Sequence, residues 1–260
     1  QTQKAQTAER GENPDARDVA NLIRQSRLEL VLPYSRVGRP NQALEFFRRY
    51  ATNDDQAFEM LESLAELYYD TGQWPETIQI YHRLMSERAS SDRLCYWQAR
   101  VAHAIVSSRP KDDQVTEVTR LVDLEEHFRS EGTHPAESVT QCRQETAQLL
   151  FELAVAWHRE AIGTDASPGT NDRNTMRLSA QLYQTAVDHF ADMESLDFTD
   201  TGWDREDWPT VYRVAYFLAE LLWRMDQWDQ CGPAFDRVVE LDHAGDYTAD
   251  AAYAAVLCYE

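Results

Sequence analysis

The residues with most apparent potential for chemistry lie in the run DFTDTGWDRED, Asp197 to Asp207. Calcium binds several oxygens gathered on a tight turn. The helix-loop-helix calcium pattern asks for Asp or Asn at loop positions one, three and five, then Gly. Aligned on Gly202, this run supplies Asp197, Thr199 and Thr201, and position twelve is Trp208 instead of Glu. The match is poor, so the run reads as a solvated linker, with Asp207 as the helix N-cap ahead of Trp208 and Pro209. In WHRE, residues 157–160, His158 and Glu160 are two apart and fall on different helix faces. Glu125, Glu126 and His127 stand together on a predicted helix and are expected to face water. GTDASPGTND has two glycines but no Lys-Ser or Lys-Thr behind them, so it is not a phosphate-binding loop. There is no His-Glu-x-x-His and no Gly-x-Ser-x-Gly elbow. Cys95, Cys142, Cys231 and Cys258 form no CxxC or CxxH pattern, so a zinc reading has little support. Each lies in a predicted helix, where a buried thiol is the simplest expectation, with disulfides left open. No catalytic residue, metal site or cofactor is assigned.

The elements that would position these residues are helices. The chain has 260 residues, 43% of them hydrophobic, enough for a sizeable core in one or two domains or one elongated array. Apolar residues recur with a helical period almost throughout, and no alternating strand pattern stands out. Residues 1–16 are polar, contain Gly11 and Pro14, and read as a disordered lead-in to a helical domain over 17–260. The net charge is −20, from 45 acids against 25 bases, and only Lys4 and Lys111 are lysines. Such a field repels nucleic acid phosphates and anionic lipid surfaces and suits a cationic partner. No apolar run nears the roughly 20 residues of a membrane span. The sequence has no signal-peptide pattern at its start. It begins with Gln and ends inside an apolar run, so it is expected to be a piece of a longer protein.

The breaks between helices repeat. Gly38 and Gly72 lie 34 residues apart, and LVLPYSRVGRPNQALEFF aligns with SLAELYYDTGQWPETIQIY. Tyr34 then matches Tyr68, Ala43 matches Thr77, Leu44 matches Ile78, and Phe47 matches Tyr81. A period of this length marks a solenoid. Gly72 can take positive φ and close one helix, and Pro75 fits the first turn of the next.

A small residue, Tyr, Gly, then Ala and an aromatic at these offsets resembles the tetratricopeptide repeat. That resemblance implies an all-α, right-handed superhelical solenoid of about five helical hairpins, irregular in the middle. The units fall near 18–52 (beginning about Arg24), 56–90, 92–130, 136–192 and 207–243, with a truncated unit at 246–260. The third has an enlarged turn, SSRPKDD. The fourth is one long run, 136–161, then a loop and a second helix carrying Ser179, Tyr183 and Ala186. Tyr34, Gly38, Ala65, Tyr68, Gly72, Tyr81, Ala219 and Phe235 take the repeat-packing positions.

The resemblance further implies that first helices line a concave groove holding a partner protein or peptide. The groove positions are Glu59, Glu62, Ser63, Glu66, Tyr69 and Asp70 in unit two; Arg93, Tyr96, Trp97, Arg100 and His103 in unit three; and Arg213, Tyr216, Phe217, Glu220, Trp223 and Arg224 in unit five. Aromatic and Arg side chains together are the composition of interface hot spots. The carboxylate clamp of the cochaperone members is not expected, because Glu62 and Glu66 would repel a carboxylate. The expected function is a non-catalytic scaffold or rigid spacer within a larger assembly. ELYYDTGQWPETIQIYHRLM also resembles bacterial cell-envelope repeat proteins, including periplasmic ones of the myxobacterial gliding-motility type, which implies a bacterial envelope location. Two other readings are a peptide- or substrate-sensing arm of a larger enzyme or regulator, and a metal-binding module built on the acidic loop.

Overall fold

Short apolar periods edged by capping residues fold as separate helices, and the computed structural model describes them over residues 29–164 and 166–260. The lead-in 1–16 and the start of the first repeat near Arg24 lie outside these described residues. Among the described residues there are eleven α-helices and one two-stranded pair, so the chain is all-α. None of these helices is long and apolar enough to cross a membrane. The chain divides into two compact units, Gln1–Ser91 and Asp92–Glu260.

In the first unit, α1 (Val31–Val37) leads through a 3₁₀ turn (Pro40–Gln42) to α2 (Ala43–Tyr50), then α3 (Asp54–Asp70) and α4 (Trp74–Glu87). Helix α3 packs against α1, α2 and α4. Its start is fixed by Asn53, whose side chain accepts from the Gln56 amide at 2.9 Å. Its end follows the expected chemistry. Gly72 has φ of +68°, the Gln73 amide donates to the Tyr68 carbonyl at 2.8 Å, and the Gly72 amide donates to that of Tyr69 at 3.0 Å. This is a Schellman closure, and Pro75 sits in the first turn of α4. Gly38 is needed for space: a Cβ there would come within 2.4 Å of the Tyr34 ring. Tyr34, Phe47, Ala65, Tyr68 and Tyr81 are buried in this unit's core. The Tyr34 hydroxyl donates to the Arg39 carbonyl at 2.7 Å, and that of Tyr81 to Glu66 Oε1 at 2.6 Å.

The second unit runs α5 (Leu94–Val106), α6 (Lys111–Glu131), α7 (Ala136–Ile162), a strand pair β1 (Gly163–Thr164) and β2 (Ser167–Pro168), α8 (Arg173–His189), α9 (Val211–Arg224), α10 (Trp228–Leu241) and α11 (Thr248–Tyr259). The strands are antiparallel, with Gly163 opposite Pro168. Each helix packs on its neighbour in sequence; α5 also meets α7, and α6 meets α8. The long run expected at 136–161 is the single helix α7. Ala219 and Phe235 are buried in a core continuous through this unit. The α9–α10 turn repeats the Schellman hydrogen bonds of Gly72, with Asp226 at φ +59° in the glycine's place. Asp tolerates that conformation better than most residues, and Arg173 holds its carboxylate.

Four expectations are corrected. The cysteines are paired: Cys95 in α5 with Cys142 in α7, and Cys231 in α10 with Cys258 in α11. Helix packing brings their Cα atoms to 5.6 and 6.0 Å, within disulfide range. Glu125 does not face water. It is 1% exposed and accepts from Arg143 Nη1 at 3.2 and 3.3 Å and from Arg129 Nε at 3.1 Å. Glu126 and His127 are exposed. The turn in SSRPKDD is short, because α6 takes in Lys111, Asp112 and Asp113 and leaves residues 107–110 as connection. Acids in the first turn of α6 offset its positive end. The acidic run is no simple solvated linker. Phe198 is fully buried against Phe151, Trp203 and Trp208, and Asp197 spends its carboxylate on the Thr199 amide at 2.9 Å. The N-cap of α9 is Thr210, accepting from the Arg213 amide at 3.1 Å, because Asp207 lies in a separate 3₁₀ turn, Arg205–Asp207.

Candidate functional site

Three of the six groove positions assigned to α9 meet at one cavity. Arg213, Phe217 and Glu220 fall on one face of α9 at helical spacing. They border a cavity of about 270 Å³ together with Val155, His158, Arg159 and Ile162 of α7. Gly163, Thr164, Tyr183 of α8, Asp207 and Tyr247 complete its lining. Thr210 fixes the start of α9, and Arg213 Nη1 donates to the Trp208 carbonyl at 3.1 Å, which holds the guanidinium at the rim. Tyr216 lies beside the cavity and stacks on Tyr247 at 4.4 Å with the planes 14° apart.

His158 is the hub. Its ring meets Tyr183 edge-on at 5.7 Å and Phe217 at 5.0 Å. Its Nε2 stands 3.4 Å from Glu220 Oε2, and Arg224 Nη2 donates to the other Glu220 oxygen at 3.2 Å. Burial pushes the Glu220 carboxyl up, but the bond to His158 and the nearby charges of His158 and Arg224 pull it further down. The net result lies below the usual carboxylate range. Burial pushes the Tyr183 phenol up, so its hydroxyl keeps its proton. His158 Nδ1 and Tyr183 Oη are buried without a hydrogen-bond partner. A buried polar atom left unpaired costs about 1–3 kcal/mol. Both belong to residues that line the cavity.

The α5 positions form a separate cluster. The Arg93 and Arg100 guanidinium groups lie 4.5 and 4.9 Å from the Tyr96 ring, and Arg100 Nε donates to the Tyr96 hydroxyl at 3.1 Å. Trp97 is 4% exposed, so truncating it is a packing change as well as a surface change. Burial and the charge of Arg100 lower the affinity of His103 for a proton. Arg93 and Tyr96 border a depression floored by the Cys95–Cys142 bridge; it shares no lining residue with the His158 cavity. On α3, Tyr69 meets Trp74 edge-on at 5.7 Å and Ser63 Oγ donates to the Glu59 carbonyl at 2.8 Å.

Among the described residues no three His, Cys, Asp or Glu side chains converge as metal ligands would. Glu160 turns away from His158, as their spacing requires, and bonds Lys111 Nζ at 2.5 Å. The sequence reading did not gather His158, Tyr183 and Tyr247 into a site. His158 shares a helix face with the buried Ala154 and Ala161, four and three residues away, and that period is the available signal. Tyr183 reads as packing, and nothing local marks its hydroxyl as unpaired. No protein-family model matches the sequence, and no curated protein matches it.

Proposed function

We propose that this chain is a non-catalytic scaffold that holds a partner protein or peptide as part of a larger bacterial assembly. In this reading its helices form a right-handed solenoid of about five tetratricopeptide-like hairpins, and the partner lies along the first helices. One observation carries the reading. Two of the aromatic and Arg positions assigned to the α9 face, Arg213 and Phe217, border an open cavity, Phe217 being half-buried against the core. The paired cysteines add support for a location outside the reducing cytoplasm, since disulfides persist in oxidising compartments. That fits the envelope location implied by the repeat resemblance.

The test is capture from soluble and envelope fractions of the source organism, with wild-type chain beside Arg213→Ala and Phe217→Ala. A polypeptide retained by wild type and lost by variants whose circular dichroism and melting are unchanged supports the scaffold. Retention of nothing by wild type counts against it.

A further inference from the structure

At one place in the first unit the charge runs against that of the chain. The whole chain carries −20, yet residues 31–50 hold four arginines, Arg36, Arg39, Arg48 and Arg49, against the single acid Glu45. Arg48 Nε donates to Asp54 Oδ1 at 2.7 Å, and its Nη1 to Glu45 Oε1 at 3.1 Å. Among the described residues, no side chain meets Arg36, Arg39 or Arg49 in a hydrogen bond or ion pair. Arg39 and Arg49 border a cavity of about 470 Å³ at the turn between α1 and α2. The Tyr34 and Phe46 rings, 4.7 Å apart, and Val37, which is 86% exposed, supply its apolar wall. The Tyr34 hydroxyl is spent on the Arg39 carbonyl, and Glu45, the one acid of the lining, already accepts from Arg48. Two guanidinium groups are left beside open apolar surface. A guanidinium offers a carboxylate two parallel N–H donors. The complementary group is therefore a carboxylate carried next to an apolar side chain. At physiological salt charges are screened within about 8 Å, so these arginines outweigh the distant acids of the chain. Residues 1–28, with five bases against four acids, offer no matching charge. None of the cavity's residues is among the groove positions assigned from the repeat.

We propose that this cavity binds an acidic segment of a partner polypeptide, Arg39 and Arg49 holding its Asp or Glu carboxylates while a neighbouring apolar side chain lies on Val37 and Phe46. That the carboxylate comes from a polypeptide rests on the scaffold reading; the preference for a carboxylate beside an apolar group does not.

The test uses the full 260-residue chain with ¹⁵N-labelled arginine. It is titrated at physiological salt with the blocked peptide acetyl-Asp-Leu-Asp-Leu-amide, its Asn counterpart, and succinate, while the arginine Nε–H resonances are followed by NMR. The Asp peptide is expected to shift the Arg39 and Arg49 signals saturably and to bind at least about tenfold more tightly than the Asn peptide, because charge-assisted bonds to guanidinium are the stronger ones. Arg39→Gln and Arg49→Gln are each expected to weaken the Asp peptide by a similar factor without lowering the melting temperature, since neither side chain has a partner to lose. If a variant fails to fold, the wild-type comparison of peptides still decides. No saturable shift, shifts confined to other arginines, or equal binding of the Asn peptide overturns the proposal. Succinate binding as tightly as the Asp peptide overturns the polypeptide source. Self-association in sedimentation that Arg39→Gln abolishes makes the occupant a second copy, and Overhauser contacts from residues 1–28 to the Val37 methyls make it this chain's own lead-in; either overturns the separate partner. Peptide binding with failed capture removes the scaffold alone; capture without peptide binding removes the acidic-segment site alone.

Discussion

Arg143→Met should be among the most damaging single changes in the second unit. Arg143 Nη1 spans both oxygens of Glu125, which is 1% exposed, and its Nη2 donates to the His189 carbonyl at 3.2 Å and to Asp192. Its guanidinium also lies 4.7 Å from the Phe190 ring. Methionine keeps much of the apolar stem but leaves Glu125 with Arg129 alone. Removing one partner of a buried ion pair costs about 3–5 kcal/mol, and the surviving Arg129 contact argues for the lower end. At about 2–4 °C per kcal/mol for a unit of this size, the melting temperature should fall by about 6–12 °C. Urea unfolding followed by circular dichroism, with calorimetry alongside, measures it. Arg143→Met with Glu125→Leu should recover most of the loss, because no charge is then stranded. Acid adds a check. The bond to Arg143 lowers the Asp192 carboxyl, so its contribution is present above the ordinary value of 3.8 and is lost as pH falls through the depressed folded value. That acid-sensitive component should be missing from the variant. A loss under about 1 kcal/mol, or a double variant as unstable as the two single losses added, would refute the view that Glu125 is an internally compensated charge.

Three further outcomes are expected. Replacing Cys231 and Cys258 together by Ser should cost about 3.5 kcal/mol for a 27-residue closure, and replacing Cys95 and Cys142 about 4 kcal/mol for 47, read as lowered denaturant midpoints with thiol counting as control. Hydrogen bonds to Asp92 and Glu131 raise the pKa of His134, so its contribution is full below the ordinary value of 6.5 and fades as pH rises through the higher folded value. The stability gap between wild type and His134→Gln, measured by urea titration across that range, should therefore narrow toward alkaline pH; a gap independent of pH would contradict the assignment. Ala65→Leu, at a fully buried contact of α3, should overpack the first unit and cost about 1–3 kcal/mol by the same titration, without new function.

What the sequence disclosed was local. The Gly72 closure, Pro75 in the first turn of α4 and the unbroken run of α7 follow from backbone preference and period, which a few neighbouring residues carry. What it concealed was set by other helices. Four cysteines allow three pairings, and only the approach of α5 to α7 and of α10 to α11 selects one. Glu125 shares a face with Leu121, Val122 and Phe128, so its burial was written in the period; its charge argued for water until Arg143 arrived from α7. The cap of α9 fell to Thr210 because the acidic run folds into its own turns. Of the candidate site, the α9 face could be named from repeat offsets, whereas His158 and Tyr183 join it only through the packing of α7, α8 and α9.

Both covalent bridges lie in the second unit, and this matters if the chain is ever pulled by its ends. Force applied to residues 92 and 260 runs through the bridges and bypasses the chain between each pair. Segments of 47 and 27 residues then stay slack after the helices around them have given way. At about 3.4 Å per extended residue, roughly 250 Å of contour is held back. Such a unit yields under load yet stops short of full length until the sulfurs are reduced, which makes it a tether with a built-in limit on extension.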